Sequence, residues 1–150
     1  MSRKLVLAAC AAIVATAALA PVAIADENNP VIVHRQGIYK IVAGHMGGLK
    51  SILLLKNGAT ENLSWHAEGI VDAFKHMGNA YPVGSDIGET KAKAVIWSDR
   101  AKFDEAGKKA FGAALALVDT AKAGNIEQST NAFKALGGTC KACHDDFRKD

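Results

Sequence analysis

Cysteine is scarce in this sequence, with three residues in 150. A disulfide-dense scaffold would need more. An excess of either charge is also lacking: 18 Lys and Arg stand against 15 Asp and Glu, which excludes a strongly basic nucleic-acid binder. No stretch sustains the apolar–polar alternation of a half-buried strand. Internal repeats and low-complexity segments are missing beyond residue 25. The apolar fraction of 49% is inflated by the first 25 residues; beyond them, 54 of 125 residues are apolar. That composition fits one ordinary soluble domain with one core, and it excludes a membrane-embedded mature protein.

The first 25 residues read as a secretory leader. Arg3 and Lys4 give a basic start, and Leu5 to Ala20 is apolar apart from Thr16. Ala23-Ile24-Ala25 offers a small-x-small cleavage site before the polar Asp26 to Asn29. The expectation is a signal peptide over 1–25, a mature domain over 26–150 and residence in a bacterial periplasm. A retained N-terminal anchor is the rival, and Pro21 with the small-residue exit argues against it. Leu7-Ala8-Ala9-Cys10 loosely matches a lipoprotein box, but too little apolar sequence precedes Cys10.

Four later segments carry helical periodicity. The first spans about Val31 to Lys56, with Ile38, Val42, Leu49 and Leu53 on one stripe and Asn57-Gly58 as its stop. The second spans about Asn62 to Met77, with Trp65, Ile70, Ala73, Phe74 and Met77 apolar and Asn62 or Thr60 as its cap. A connection of unusual length follows, about Ala80 to Val95. The third spans about Ser98 to Ala123, with Phe103, Phe111, Leu115 and Val118 apolar and Gly124 as its stop. The fourth starts at Asn125, whose spacing to Gln128 suits a capping box, and runs to Phe147. Four such helices predict an all-α, antiparallel four-helix bundle.

Cys140-Lys141-Ala142-Cys143-His144 is the one strong chemical motif. C-x-x-C-H reads as covalent attachment of a c-type haem. Helical positions i, i+3 and i+4 share a face, so both thiols can add to the vinyl groups of one haem. His144 then offers an imidazole nitrogen to the iron. Export supports this reading, because such haem is attached outside the cytoplasm. Three alternatives stand beside it. A Cys140–Cys143 disulfide is disfavoured by helical geometry. A dithiol oxidoreductase would need a strand before the motif. A zinc site would need further ligands, and none of His34, His45, His66 and His76 stands at a paired spacing. No Met follows His144, so any group on the other haem face must come from an earlier helix.

The ending Cys140 to Lys149, together with His34-Arg35-Gln36 and the Ile96-Trp97 pair placed at the start of the third helix, resembles the class II cytochromes c, the cytochrome c′ family. The resemblance covers nearly the whole mature chain. It implies a four-helix bundle enclosing one covalent haem c, often as a homodimer packed through the first two helices. It further implies that Arg35 and Gln36 contact the haem propionates, with Glu89 and Thr90 at a similar position in the long loop. Arg148, one turn beyond His144, would tune the proximal imidazole. Tyr39 would face the distal side of the iron, where a Met would make a six-coordinate electron carrier. A bulky, non-ligating Tyr leaves the iron five-coordinate and filters ligands by size. Weaker candidates for a sixth ligand are His45, Met46, His66, His76 and Met77. The expected protein is a non-enzymatic cytochrome that binds nitric oxide and carbon monoxide and exchanges electrons with an unidentified redox partner. The alternative is a six-coordinate electron carrier, and a haem-free exported dithiol oxidoreductase stands further off.

Overall fold

A computed structural model describes residues 29–150, so the expected leader lies outside the described residues. The first helix, α1, spans Pro30–Leu53 and opens with two favourable devices. Pro30 occupies the first turn, where its missing N–H costs nothing, and the Asn29 side chain accepts from the Val31 N–H at 3.0 Å. Its 24 residues make a rod of about 36 Å. The helix ends before Asn57-Gly58. Lys56 takes the left-handed conformation at φ 55°, and the Asn57 N–H returns to the Ser51 carbonyl. That position costs a non-glycine residue about 1 kcal/mol, which the backbone bond offsets.

A short 3-10 turn, Thr60–Asn62, leads into α2, Leu63–Lys75. Asn62 occupies the cap position of α2, but its side chain turns to Glu61 instead of capping. The long connection contains a feature that periodicity missed. Ile96 and Trp97 do not open the next long helix; they lie on a separate single turn, α3, Val95–Ser98. Asp99 breaks away there, and its carboxylate caps the following helix by accepting from the Lys102 N–H at 3.1 Å. That helix, α4, spans Arg100–Lys122, and Gly124 takes up φ +67° just after it. The last helix, α5, spans Ile126–Phe147 and is capped as expected by Asn125 on the Gln128 N–H.

The four long helices form an antiparallel bundle in which α1 packs on α2, α2 on α4 and α4 on α5. The main core joins Ile38, Leu49, Leu63, Ile70, Leu117 and Leu136. The inner face of α4 is a stripe of small residues, Ala110, Ala114 and Ala121, beside Leu117 and Val118. Leu115, expected inside, is exposed, as is Trp65 on α2. A second, smaller cluster unites Ala80 and Tyr81 of the connection with Ile96 and Phe147. Among the described residues, no helix is long and apolar enough to cross a membrane.

Candidate functional site

The site lies where the two clusters meet. Cys140 packs against the main core, and Cys143 packs against the aromatic cluster of Tyr81, Ile96 and Phe147. Both cysteines are free thiols of intermediate exposure. Burial raises the pKa of each, and at Cys143 the neighbouring Cys140 and Asp146 add to it. Thiols held protonated are the opposite of an activated redox dithiol, whose nucleophile is acidified. His144 follows on the same helix. Burial and then the Arg148 cation lower its pKa, so the ring is neutral at neutral pH and keeps a free nitrogen lone pair.

Arg148 is not on α5. It leaves the helix in extended conformation, with its N–H on the His144 carbonyl at 3.0 Å, and forms an isolated antiparallel bridge with Ala92. The Lys93 N–H donates to the Phe147 carbonyl and the Lys149 N–H to the Lys91 carbonyl, at 2.9 and 2.7 Å. The expected closeness to His144 is kept by this clasp rather than by a further helical turn. An open hollow of about 440 Å³ beside His144 is lined by Lys93, Asp145, Arg148 and Lys149. Another, of about 470 Å³, lies at the far end of α5 near Ile52, Thr60 and Ile126 and contains none of the expected site residues.

Arg35, Gln36, Glu89 and Thr90 are brought together. The Arg35 guanidinium is 2% exposed. Its Nη1 donates to the Ala80 carbonyl at 3.2 Å and to Ser85 Oγ at 2.9 Å. Its Nη2 donates to the Ser85 carbonyl at 2.7 Å and to Thr90 Oγ1 at 2.8 Å. The guanidinium also lies 4.7 Å from the centre of the Tyr81 ring, a cation–π distance. Gln36 Nε2 donates to the Glu89 carbonyl at 2.8 Å. Every acceptor of Arg35 is neutral, and it forms no ion pair among the described residues. Burial accordingly lowers its pKa. Asp86 offsets this only at a distance, and an anionic carboxylate in direct contact would relieve more of the cost of burial.

Tyr39 faces this same region from α1. Its hydroxyl accepts from Tyr81 at 3.3 Å, and both Tyr39 and Cys143 pack against the aromatic cluster. Burial, with Tyr81 beside it, raises the Tyr39 pKa far above the ordinary phenol value, so the ring is neutral. Tyr81 itself is edge-on to Trp97 and Phe103, and Phe103 is edge-on to Phe147. Tyr81 and Ser85 are the site residues that sequence reasoning missed. The one available signal was the length of their loop.

These residues fit a c-type haem. Two partly buried thiols flank the seam between the clusters, a neutral imidazole follows them, and a buried cation has no carboxylate in direct contact, with Asp86 acting on it only at a distance. The weaker candidates for a sixth ligand are mostly engaged elsewhere. His45 and His66 bond each other, His76 bonds the Asp72 carbonyl, and Met46 packs in the main core.

Comparison with known proteins agrees with this reading. A family model described as Cytochrome C' matches residues 30–148. Cytochrome c' of Rhodospirillum rubrum is 32% identical, with all of both chains covered. Cytochrome c' of Pararhodospirillum photometricum is 37% identical over 77% of this chain and 94% of its own. The solved cytochrome c prime of Shewanella frigidimarina superposes with a TM-score of 0.77 at 31% identity, covering 83% of this chain and 98% of its own.

Proposed function

The chain belongs to the cytochrome c′ family, and on that premise we propose that it is a periplasmic haem protein with an open distal site. In this reading it carries one haem c, thioether-linked to Cys140 and Cys143, with His144 as the proximal ligand. When bound, the haem supplies an iron that cycles between ferric and ferrous states and takes up nitric oxide or carbon monoxide.

The observation that carries the reading is Tyr39. The α1 side chain that joins Cys143 at the aromatic cluster is a neutral, hydroxyl-bonded Tyr rather than a Met or His. With a haem held at Cys140, Cys143 and His144, its bulk would exclude water and it would offer the iron neither sulfur nor imidazole, in keeping with the five-coordinate state expected from the sequence. His144 presents an uncharged nitrogen, and the Arg148 cation opposes imidazolate character in it. Arg35 supplies positive charge for a propionate, while Gln36, Glu89 and Thr90 hold the adjoining loop in place. In this reading the protein is a binder and an electron carrier. It exchanges electrons with a separate redox partner. Exposed Val33 and Ile41 on α1 support a homodimer through the first two helices.

One observation favours a second reading. Met77 packs against both clusters, so its sulfur is the one placed to reach the seam as a sixth ligand. Absorption and spin-resonance spectra of both oxidation states, with and without nitric oxide and carbon monoxide, separate the two. High-spin ferric iron and a ferrous form that binds carbon monoxide are expected. A low-spin ferric form, inert to carbon monoxide once reduced and turned high-spin by Met77→Ala, would establish the Met77 reading. A purified periplasmic sample without haem bands would reject both.

A further inference from the structure

Outside that site, α1 and α2 hold a pair of histidines in a seat built from glycine. His45 of α1 and His66 of α2 bring their Nδ1 atoms to 3.2 Å. Each ring lies on a glycine of the opposite helix. A Cβ added at Gly48 would come within 2.2 Å of the His66 ring, and one at Gly69 within 2.3 Å of the His45 ring. Trp65 closes one side, with its ring centre 5.1 Å from that of His45 and 4.6 Å from that of His66. Both histidines are half-buried, so solvent reaches them.

We propose that His45 and His66 form a binding site for a borderline divalent transition-metal ion, Cu²⁺ in first place and Zn²⁺ next. Imidazole nitrogen suits these ions, and their bonds to it are about 2.0–2.1 Å long. Two nitrogens 3.2 Å apart then subtend roughly 100° at a shared ion, between the square and the tetrahedral angles. The ring centres are 5.4 Å apart, and sharing an ion changes that spacing by only about half an ångström. Without an ion, one Nδ1–H donates to the other Nδ1. Binding moves that proton to Nε2 of the same ring through solvent, so both lone pairs reach the metal and no net proton is released. No third His, Cys, Asp or Glu joins the pair among the described residues, so water fills the remaining positions. The glycine seats hold the two donors together in advance, which reduces the ordering cost of binding. Neither the haem nor the dimer is needed for this site.

The test titrates the haem-loaded full chain with Cu²⁺ and with Zn²⁺ against a chromophoric chelator, and records the copper spin-resonance signal. One equivalent per chain and copper coupling to two imidazole nitrogens are expected. His45→Gln and His66→Gln should each weaken binding at least about tenfold, while His34→Gln and His76→Gln bind as the parent does. Parental affinity in both pair variants, or coupling to a single nitrogen, would overturn the site. If a pair variant loses helical circular dichroism, the copper coupling of the parent chain decides.

Discussion

Arg35 grips Ser85 twice, with Nη1 on its Oγ at 2.9 Å and Nη2 on its carbonyl at 2.7 Å. One side chain of α1 thereby fixes a loop some fifty positions further along the chain. Arg35→Met should release that loop. We expect a loss of about 2 kcal/mol in urea unfolding, because the Ser85 and Ala80 acceptors lose their donors. Amide exchange should quicken selectively over residues 85–90. Unchanged exchange there would contradict the role given to Arg35.

Tyr39 and Tyr81 meet through their hydroxyls at 3.3 Å, and the proposed function makes Tyr39 the shield of the distal side. Tyr39→Ala removes the ring and should raise the carbon monoxide association rate of the ferrous protein roughly tenfold, about 1.4 kcal/mol of barrier. Tyr81→Phe removes only the hydroxyl that reaches Tyr39, and the rate should stay within about threefold of the parent. Flash photolysis measures both. Equal rates in the parent and Tyr39→Ala would show that Tyr39 is not the distal shield.

The proposed double thioether can be dissected one thiol at a time. Cys143→Ala should leave one thioether, and the double variant Cys140→Ala with Cys143→Ala should give haem that acidified solvent extracts. Denatured mass spectrometry reads this directly. The haem-free double variant should melt well below the parent, because the seam between the two clusters then has nothing to fill it.

Gly48 offers a test of packing alone. Gly48→Ala places a methyl against the His66 ring and should cost about 1–3 kcal/mol. Adding His66→Ala should recover much of that loss, a coupling that a double-mutant cycle isolates. Gly37, where an added Cβ meets nothing within 4 Å, is the control: Gly37→Ala should be neutral or stabilising by up to about 1 kcal/mol.

What the sequence revealed followed from local pattern. The α1 stripe of Ile38, Val42, Leu49 and Leu53 is buried as its spacing required, and Asn125 caps α5 as expected. The spacing within Cys140 to His144 was equally local. Misreadings arose where tertiary context decided. Leu115 is more apolar than Ala114, yet Ala114 faces the core because it shares the helical face of Ala110, Leu117 and Ala121, whereas Leu115 lies off that face. The α3 turn is a single turn of helix, too short for periodicity to register. Tyr81 and Ser85 belong to a loop with no repeating pattern, and their partner Arg35 is 45 or more positions away.

The bridge between Ala92 and Arg148 has a consequence in time as well as in space. It joins two strands of backbone separated by all of α3, α4 and α5. Closing so long a loop is slow relative to pairing neighbouring helices, since the chain must lose the freedom of everything between. The clasp of residues 91–93 on 147–149 is therefore expected to pair last, after α4 and α5 have packed, leaving an interval without it. During that interval Cys140, Cys143 and His144 lie on a formed helix without the clasp at its end. If haem c is attached at these residues as proposed, that interval leaves the motif open to it, and a variant that pairs too early should mature with less of it.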